Sequence, residues 1–293
     1  MAEISAAVVK ELRERTGSGM MDCKKALAET GGDMEKAIDY LREKGLAKAA
    51  KKAEREASDG RIFHYMSDDG KMGALIELNS ETDFVAKTDE FNELGRQLVL
   101  QVAQGEPCDE VAALLEQKSL DDPSKQVKDL ITAMIAKLGE NIVARRFARF
   151  AAEKGRVFYY VHNNFKVGAL LELGCASEAA AQSEELAELG HEISMQIAAA
   201  NPLYVRREEV TEDVLKRERD IYRQQLLDEG KPADRLDKII EGKLNKYYEM
   251  NCLQEQEYIR DSKQKIRDLI KAASAKAGGE IAIRRFARFS IGA

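Results

Sequence analysis

Near the start of the chain, hydrophobic positions recur at helical spacing. Ile4, Val8 and Leu12 form one stripe between Ile4 and Arg15. Thr16-Gly17-Ser18-Gly19 interrupts that pattern, and Met20 to Glu29 resumes it. Gly31-Gly32-Asp33 then stops the second helix and caps a third, predicted to run to Lys44. Three short helices of this kind make a compact bundle with few apolar contacts, which suits docking better than catalysis. The LAKAAKKAEREASDG stretch that follows predicts a polar, basic, helical linker over 46–60. Beyond it the pattern changes. Ile62 to Met66 and Met72 to Leu78 are β-rich runs on either side of Ser67-Asp68-Asp69-Gly70, a strong hairpin signal. Phe91, Leu94, Leu98 and Val102 then return to helical spacing.

The same pattern occurs twice. The stretch from Arg61 (RIFHYMSDDGKMGALIELNSETDFVAK…) aligns without gaps on the stretch from Arg156 (RVFYYVHNNFKVGALLELGCASEAAAQ…), a shift of 95 positions that pairs Gly73 with Gly168, Glu77 with Glu172 and Pro107 with Pro202. Further on, Val127 to Phe150 matches Ile266 to Phe289 at a shift of 139, so the second copy carries 44 extra residues between its matched blocks. Each copy predicts a hairpin, a long helix, a variable connector, a second helix and a final strand. The expected fold is therefore α+β: an N-terminal three-helix unit over 1–45, a core subdomain over 61–150 and a related one over 151–293, each with a small antiparallel sheet.

The extra residues lie between Leu203 and Gln264. There Val210 to Glu229 and Ala233 to Glu249 are helical in pattern, separated by Gly230-Lys231-Pro232, and predict a helical hairpin over about 203–250. Val214, Ile221, Leu226 and Leu227 on one arm, with Leu236, Ile239, Ile240 and Leu244 on the other, form its apolar stripe. Two readings stay open: a contact surface, or an arm zipped only on itself.

Composition narrows the function. With 44% apolar and 33% charged residues over 293 positions, the chain can build a real core. No apolar run is long enough for a membrane span and no secretory signal pattern opens the sequence, so a cytoplasmic protein is the expectation. Cys23, Cys108, Cys175 and Cys252 are scattered, as are His64, His162 and His191, against a metal site or a disulfide framework. The net charge of −6 argues against a broad phosphate-binding surface. No phosphate loop, GxGxxG after a strand, HExxH or GxSxG is present. Lys48 to Lys52 and the repeated RRFARF (Arg145 to Phe150, Arg284 to Phe289) keep a nucleic-acid-binding protein as the alternative. The simpler account of RRFARF is a paired strand whose arginine stems cover apolar surface. An enzyme site between the two halves is a more remote alternative.

The two copies act as each other's control. Phe91 faces Leu186 and Leu98 faces Ile193, so that stripe stays apolar. Phe84, one heptad before Phe91 and expected on the same stripe, faces Ala179. Thr82-Asp83-Phe84-Val85 stands against Ser177-Glu178-Ala179-Ala180. A helix cap explains Thr82 and Asp83; a local staple or a partner must explain Phe84.

EISAAVVKELRERTGSGMMDCKKALAETGGDMEKAI, the TDFVAK tip and the duplicated core together resemble the elongation factor Ts family, over essentially the whole chain and in matching order. The resemblance implies a ubiquitin-associated-like (UBA-like) three-helix domain, a two-subdomain core, and a coiled-coil arm used in dimerisation. A homodimer through 203–250 would give a two-plus-two complex. It implies a guanine-nucleotide exchange factor for the GTPase elongation factor Tu, not an enzyme of covalent chemistry, with no cofactor, no metal and no direct nucleic-acid contact. In the family the TDFV tip enters the GTPase's nucleotide-binding domain, its phenylalanine wedges between helices, and the magnesium ion holding the GDP phosphates is dislodged. By that likeness Thr82, Asp83, Phe84 and Val85 form the working tip. Lys24, Met20 and Met21 match residues touching the same GTPase domain, Leu138 and Gly139 with His162 match supporting core contacts, and Ile239 and Ile240 fall where a more distal GTPase domain is contacted. One departure stands out: relatives often continue into a C-terminal helix that embraces the GTPase, whereas this sequence stops at Ser290-Ile291-Gly292-Ala293. That contact is expected to be absent, with binding resting more on the N-terminal domain and core.

Overall fold

The computed structural model describes residues 4–292; Met1 to Glu3 and Ala293, the outer ends of the first and last expected segments, lie outside the described residues. Helices and small antiparallel sheets mix along the chain, and the fold class is α+β. The chain divides into two compact units. One holds the chain up to Tyr65, Ala74–Ala148 and the described residues from Ser290; the other holds Met66–Gly73 and Arg149–Phe289.

In the first unit, α1 (Ala6–Thr16), α2 (Met20–Glu29) and α3 (Met34–Lys52) enclose Val9, Leu12, Cys23, Ala26, Leu27 and Ala37. Ser5 caps α1 and Asp33 caps α3, each accepting a hydrogen bond from an amide three residues on. Helix α3 does not stop at Lys44. The lone Gly45 costs only about 1 kcal/mol in a helix, Leu46-Ala47-Lys48-Ala49-Ala50 are good helix formers, and the first half of the expected linker continues α3. The strands β1 (Asp59–Met66) and β2 (Met72–Ser80) form the expected hairpin. After it come α4 (Asp83–Ala86), α5 (Asp89–Gln104), α6 (Val111–Glu116), α7 (Val127–Leu138) and β3 (Ile142–Ala151), which closes a sheet of order β1-β2-β3. Gly45 of α3 packs against Ala136 of α7, and Arg42 pairs with Asp129 at 3.1 Å.

The second unit repeats the plan: β4 (Gly155–Val161), β5 (Val167–Cys175), α8 (Glu178–Ala181) and α9 (Glu184–Ala200), then the inserted α10 (Glu212–Asp228) and α11 (Leu236–Asn251). A short ribbon, β6 (Glu257–Tyr258) and β7 (Asp261–Lys265), leads to α12 (Ile266–Lys276) and β8 (Ile281–Ser290), in a sheet of order β4-β5-β8.

The duplication extends to single atoms. Gly60 and its counterpart Gly155 have φ of 140° and 135°, and a Cβ at either would overlap the carbonyl oxygen of Leu78 or Leu173. Gly95 and Gly190 lie under the rings of Phe63 and Phe158, close enough that any Cβ would penetrate the ring. Buried Gln101 accepts from the Leu120 amide at 2.9 Å, and buried Gln196 from the Ile259 amide at 2.9 Å. The ribbon β6-β7 repeats the single bridge between Lys118 and Gln126, so the insertion ends before Glu257. The RRFARF strands behave alike: Arg146 binds the buried Glu77 at 2.6 Å and Arg285 binds Glu172 at 2.7 Å. Arg285 also covers the Phe150 ring, and Arg288 donates to the Ala198 carbonyl at 3.0 Å. These side chains are engaged in the fold, as strand pairing requires.

The arm's apolar line differs from the expected one. Leu215, Leu226, Leu236, Ile240 and Leu244 are buried together, with Tyr222 packed against them, while Ile221 and Leu227 are exposed. Leu215, Tyr222 and Leu226 follow the helical period on the inner face, and Ile221 and Leu227 sit one residue to either side of it. At the arm's root Arg207 grips Glu255 through two hydrogen bonds of 2.9 and 3.0 Å, and this fork holds the Glu255 carboxyl below its ordinary pKa.

The helical glycines set the spacing between sheet and helix. Gly95→Ala is expected to lower unfolding stability by about 1–3 kcal/mol through overpacking, measured by urea denaturation. Adding Phe63→Leu should return part of that loss, because the clash is with the ring edge.

Candidate partner-binding site

The exposed feature between β2 and α5 is built by two successive caps. Thr82 has extended backbone angles, and its hydroxyl accepts from the Val85 amide at 3.4 Å, which starts the single turn α4. Six residues on, Thr88 accepts from the Phe91 amide at 3.3 Å and donates to the Val85 carbonyl at 2.8 Å, which starts α5. The copy shares this scaffold, with Ser177 capping α8 and Ser183 capping α9.

The second cap corrects the expectation for Phe84. Counting a heptad back from Phe91 presumes one continuous helix, but the chain breaks at Thr88 and α4 points elsewhere. Phe91 is 0% exposed; Phe84 is 79% exposed, the most exposed large apolar side chain among the described residues. A staple packed against the helix is therefore not what Phe84 forms. Leaving a phenylalanine in water forgoes roughly 2–3 kcal/mol of burial. Ala86 anchors the turn from below, and Asp83 pairs with Lys87 at 2.6 Å on its surface.

A loop from α7 grips the turn from the side. Gly139, with φ of 82°, ends α7 in the left-handed conformation and accepts a hydrogen bond from the Lys52 ammonium at the end of α3. The next residue, Glu140, accepts from the Thr82 amide at 3.0 Å and from the Thr82 hydroxyl at 2.7 Å. Asn141 donates its amide to Glu81 at 2.7 Å and its side chain to the Arg55 carbonyl at 2.8 Å. Arg55 faces Glu81 at 3.5 Å.

The structure thus joins Thr82 to the loop that carries Leu138 and Gly139, which lie 56 and 57 positions along the chain from it. Met20, Met21 and Lys24 are exposed on the outer face of α2, whose inner face buries Cys23, Ala26 and Leu27. His162, in the second unit, is exposed at the β4-β5 turn with Nδ1 3.0 Å from the Tyr160 hydroxyl. Ile239 is partly buried, and Ile240, 4% exposed, belongs to the arm's interior and offers no side-chain surface. The pattern did not single out Glu140, Glu81, Asn141 or Arg55, and it marked Lys52 only as part of the basic Lys48 to Lys52 stretch. One signal was available: Glu81 and Glu140 become Ala176 and Gly279 in the copy, a paired loss of both acids.

Residues 81–293 match the family model described as Elongation factor TS. Over 289 residues, 99% of the chain, the sequence is 45% identical to elongation factor Ts of Clostridium botulinum (strain ATCC 19397 / Type A), covering 92% of that protein. It is 46% identical to elongation factor Ts of Clostridium novyi (strain NT), with 99% and 93% covered, and 45% identical to that of Clostridium tetani (strain Massachusetts / E88), with the same coverage.

Thr82→Ala removes the α4 cap and one bond to Glu140. A lost N-cap is worth about 1 kcal/mol, so amide exchange at Val85 and Lys87 is expected to quicken about fivefold while the global unfolding midpoint holds. Exchange mass spectrometry reads both.

Proposed function

The chain belongs to the elongation factor Ts family, and we propose that it acts in the cytoplasm as the guanine-nucleotide exchange factor of the GTPase elongation factor Tu. It binds the GDP form, drives GDP out and leaves the site open to GTP. The observation that carries this reading is Phe84, held out in water on a turn fastened by Thr82, Thr88 and Glu140. In the proposed mechanism the Thr82–Val85 tip enters the nucleotide-binding domain, Phe84 buries itself between helices, and the magnesium ion that secures the GDP phosphates is displaced. Met20, Met21 and Lys24 on α2, with Leu138 and Gly139 beside the tip, supply further contact, and His162 supplies it from the second unit. The arm contributes through outward residues such as Ile221 and Leu227, since Ile240 is used in its interior.

No catalytic group is needed. A factor that binds the empty GTPase more tightly than the loaded one weakens GDP by the same factor as GDP weakens it. Burial of one phenylalanine, roughly 2 kcal/mol, corresponds to about thirtyfold in an equilibrium.

Release of a fluorescent GDP analogue from elongation factor Tu tests the proposal. The wild-type protein is expected to accelerate release, and Phe84→Ala to cut that acceleration by about thirtyfold. An unchanged rate with wild type overturns the exchange reading; equal rates for wild type and Phe84→Ala overturn the wedge alone.

A further inference from the structure

We infer that Glu140 is a positioning residue for exchange, holding the turn that presents Phe84; the inference rests on the exchange reading above. The carboxylate takes both donors of Thr82, the amide on Oε2 at 3.0 Å and the hydroxyl on Oε1 at 2.7 Å. A carboxylate only accepts, so the Thr82 hydroxyl must point its hydrogen at Glu140 and its lone pair at the Val85 amide. Glu140 thereby fixes both the position of Thr82, the N-cap residue of α4, and the direction of its cap bond. Bonds to a charged acceptor are about twice as strong as neutral ones. The loop is itself secured by the Lys52 bond to Gly139 and the Asn141 bonds to Glu81 and Arg55.

The second copy separates this role from general folding. Ser177 caps α8 from its hydroxyl at 3.2 Å to the Ala180 amide, and a backbone bond from Ala176 to Glu280 at 3.0 Å ties the turn to the next loop. There Glu140 is replaced by Gly279, Glu81 by Ala176 and Phe84 by Ala179. The turn folds without a side-chain clamp. The clamp occurs in the copy whose turn carries an aromatic with no burial to orient it.

The test compares wild type, Phe84→Ala, Glu140→Ala, Glu140→Gln and the Phe84→Ala/Glu140→Ala double variant, measuring GDP release from elongation factor Tu as factor concentration rises. Glu140→Ala is expected to lower the maximal release rate about tenfold with its unfolding midpoint maintained. Glu140→Gln should fall between, because its amide oxygen keeps one Thr82 donor but, being neutral, holds it more weakly than a carboxylate does. In the Phe84→Ala background, Glu140→Ala should cost far less than in wild type, since the ring it positions is gone. A silent wild type overturns the exchange reading itself. With wild type active, an unimpaired Phe84→Ala or an unimpaired Glu140→Ala overturns the positioning role. So does an equal fractional loss in both backgrounds, which would place Glu140 in general stability or direct contact. Should Glu140→Ala not fold, the same comparison is made with Glu140→Gln in both backgrounds.

Discussion

In each half of the core, sheet and long helix meet where an aromatic ring lies on a helical glycine. Phe63 covers Gly95 and Phe158 covers Gly190, and neither helix position has room for a single added carbon. Interiors are packed closely enough that such a contact sets the helix-to-sheet distance and, with it, the height at which the helix begins. The chain leaving the hairpin must then reach the first residue of α5 or α9 in a fixed span. In both copies it does so through one helical turn bracketed by two hydroxyl caps. The exposed turn is a consequence of that packing, and what differs between copies is the side chain placed on it.

Much of this architecture was legible because the chain states it twice. Hairpins, long helices, closing strands and inserted arm follow from spacing and turn residues, and their boundaries moved by only a few positions. The errors have common physical causes. Thr88-Asp89-Glu90 carries an N-cap signature, and a period counted through it placed Phe84 on the wrong face. The arm's inner line was read from the most apolar residues, whereas Leu215 and Tyr222 take part and Ile221 does not. Periodicity tells that a face exists; the partner helix decides which of two adjacent rows it is. The loop from α7 lay beyond this kind of reading, since its bonds join residues 58 and 60 apart in sequence. The copy held a trace of it, in acids that are lost together.

The repeated ion pairs set structural charge apart from the charge of Glu140. Arg146 with Glu77 and Arg285 with Glu172 recur at matching positions, with Glu77 buried in the sheet. Removing one partner of such a pair leaves a charge without compensation, so retention in both halves follows from stability alone. Their recurrence gives Arg146 and Arg285 a structural role within each sheet. Glu140 has the opposite distribution, present in one copy and replaced by glycine in the other, where the turn still forms.

A side chain that acts by burial in a partner presents a conflict before the partner arrives. In water the same apolar area favours collapse onto the protein's own surface, and a mobile aromatic would have to be ordered at the moment of binding, at a cost of about 0.5–1.5 kcal/mol for an immobilised side chain plus that of the turn beneath it. Fastening the turn during folding moves the larger part of that ordering out of the binding step. The grip is polar, and it acts on the backbone and hydroxyl of Thr82, two residues from the ring. An apolar clamp would have covered the ring and removed the surface it offers. Hydrogen bonds to Thr82, two residues before the ring, steady the turn while leaving Phe84 bare, and the proposed wedge calls for that combination.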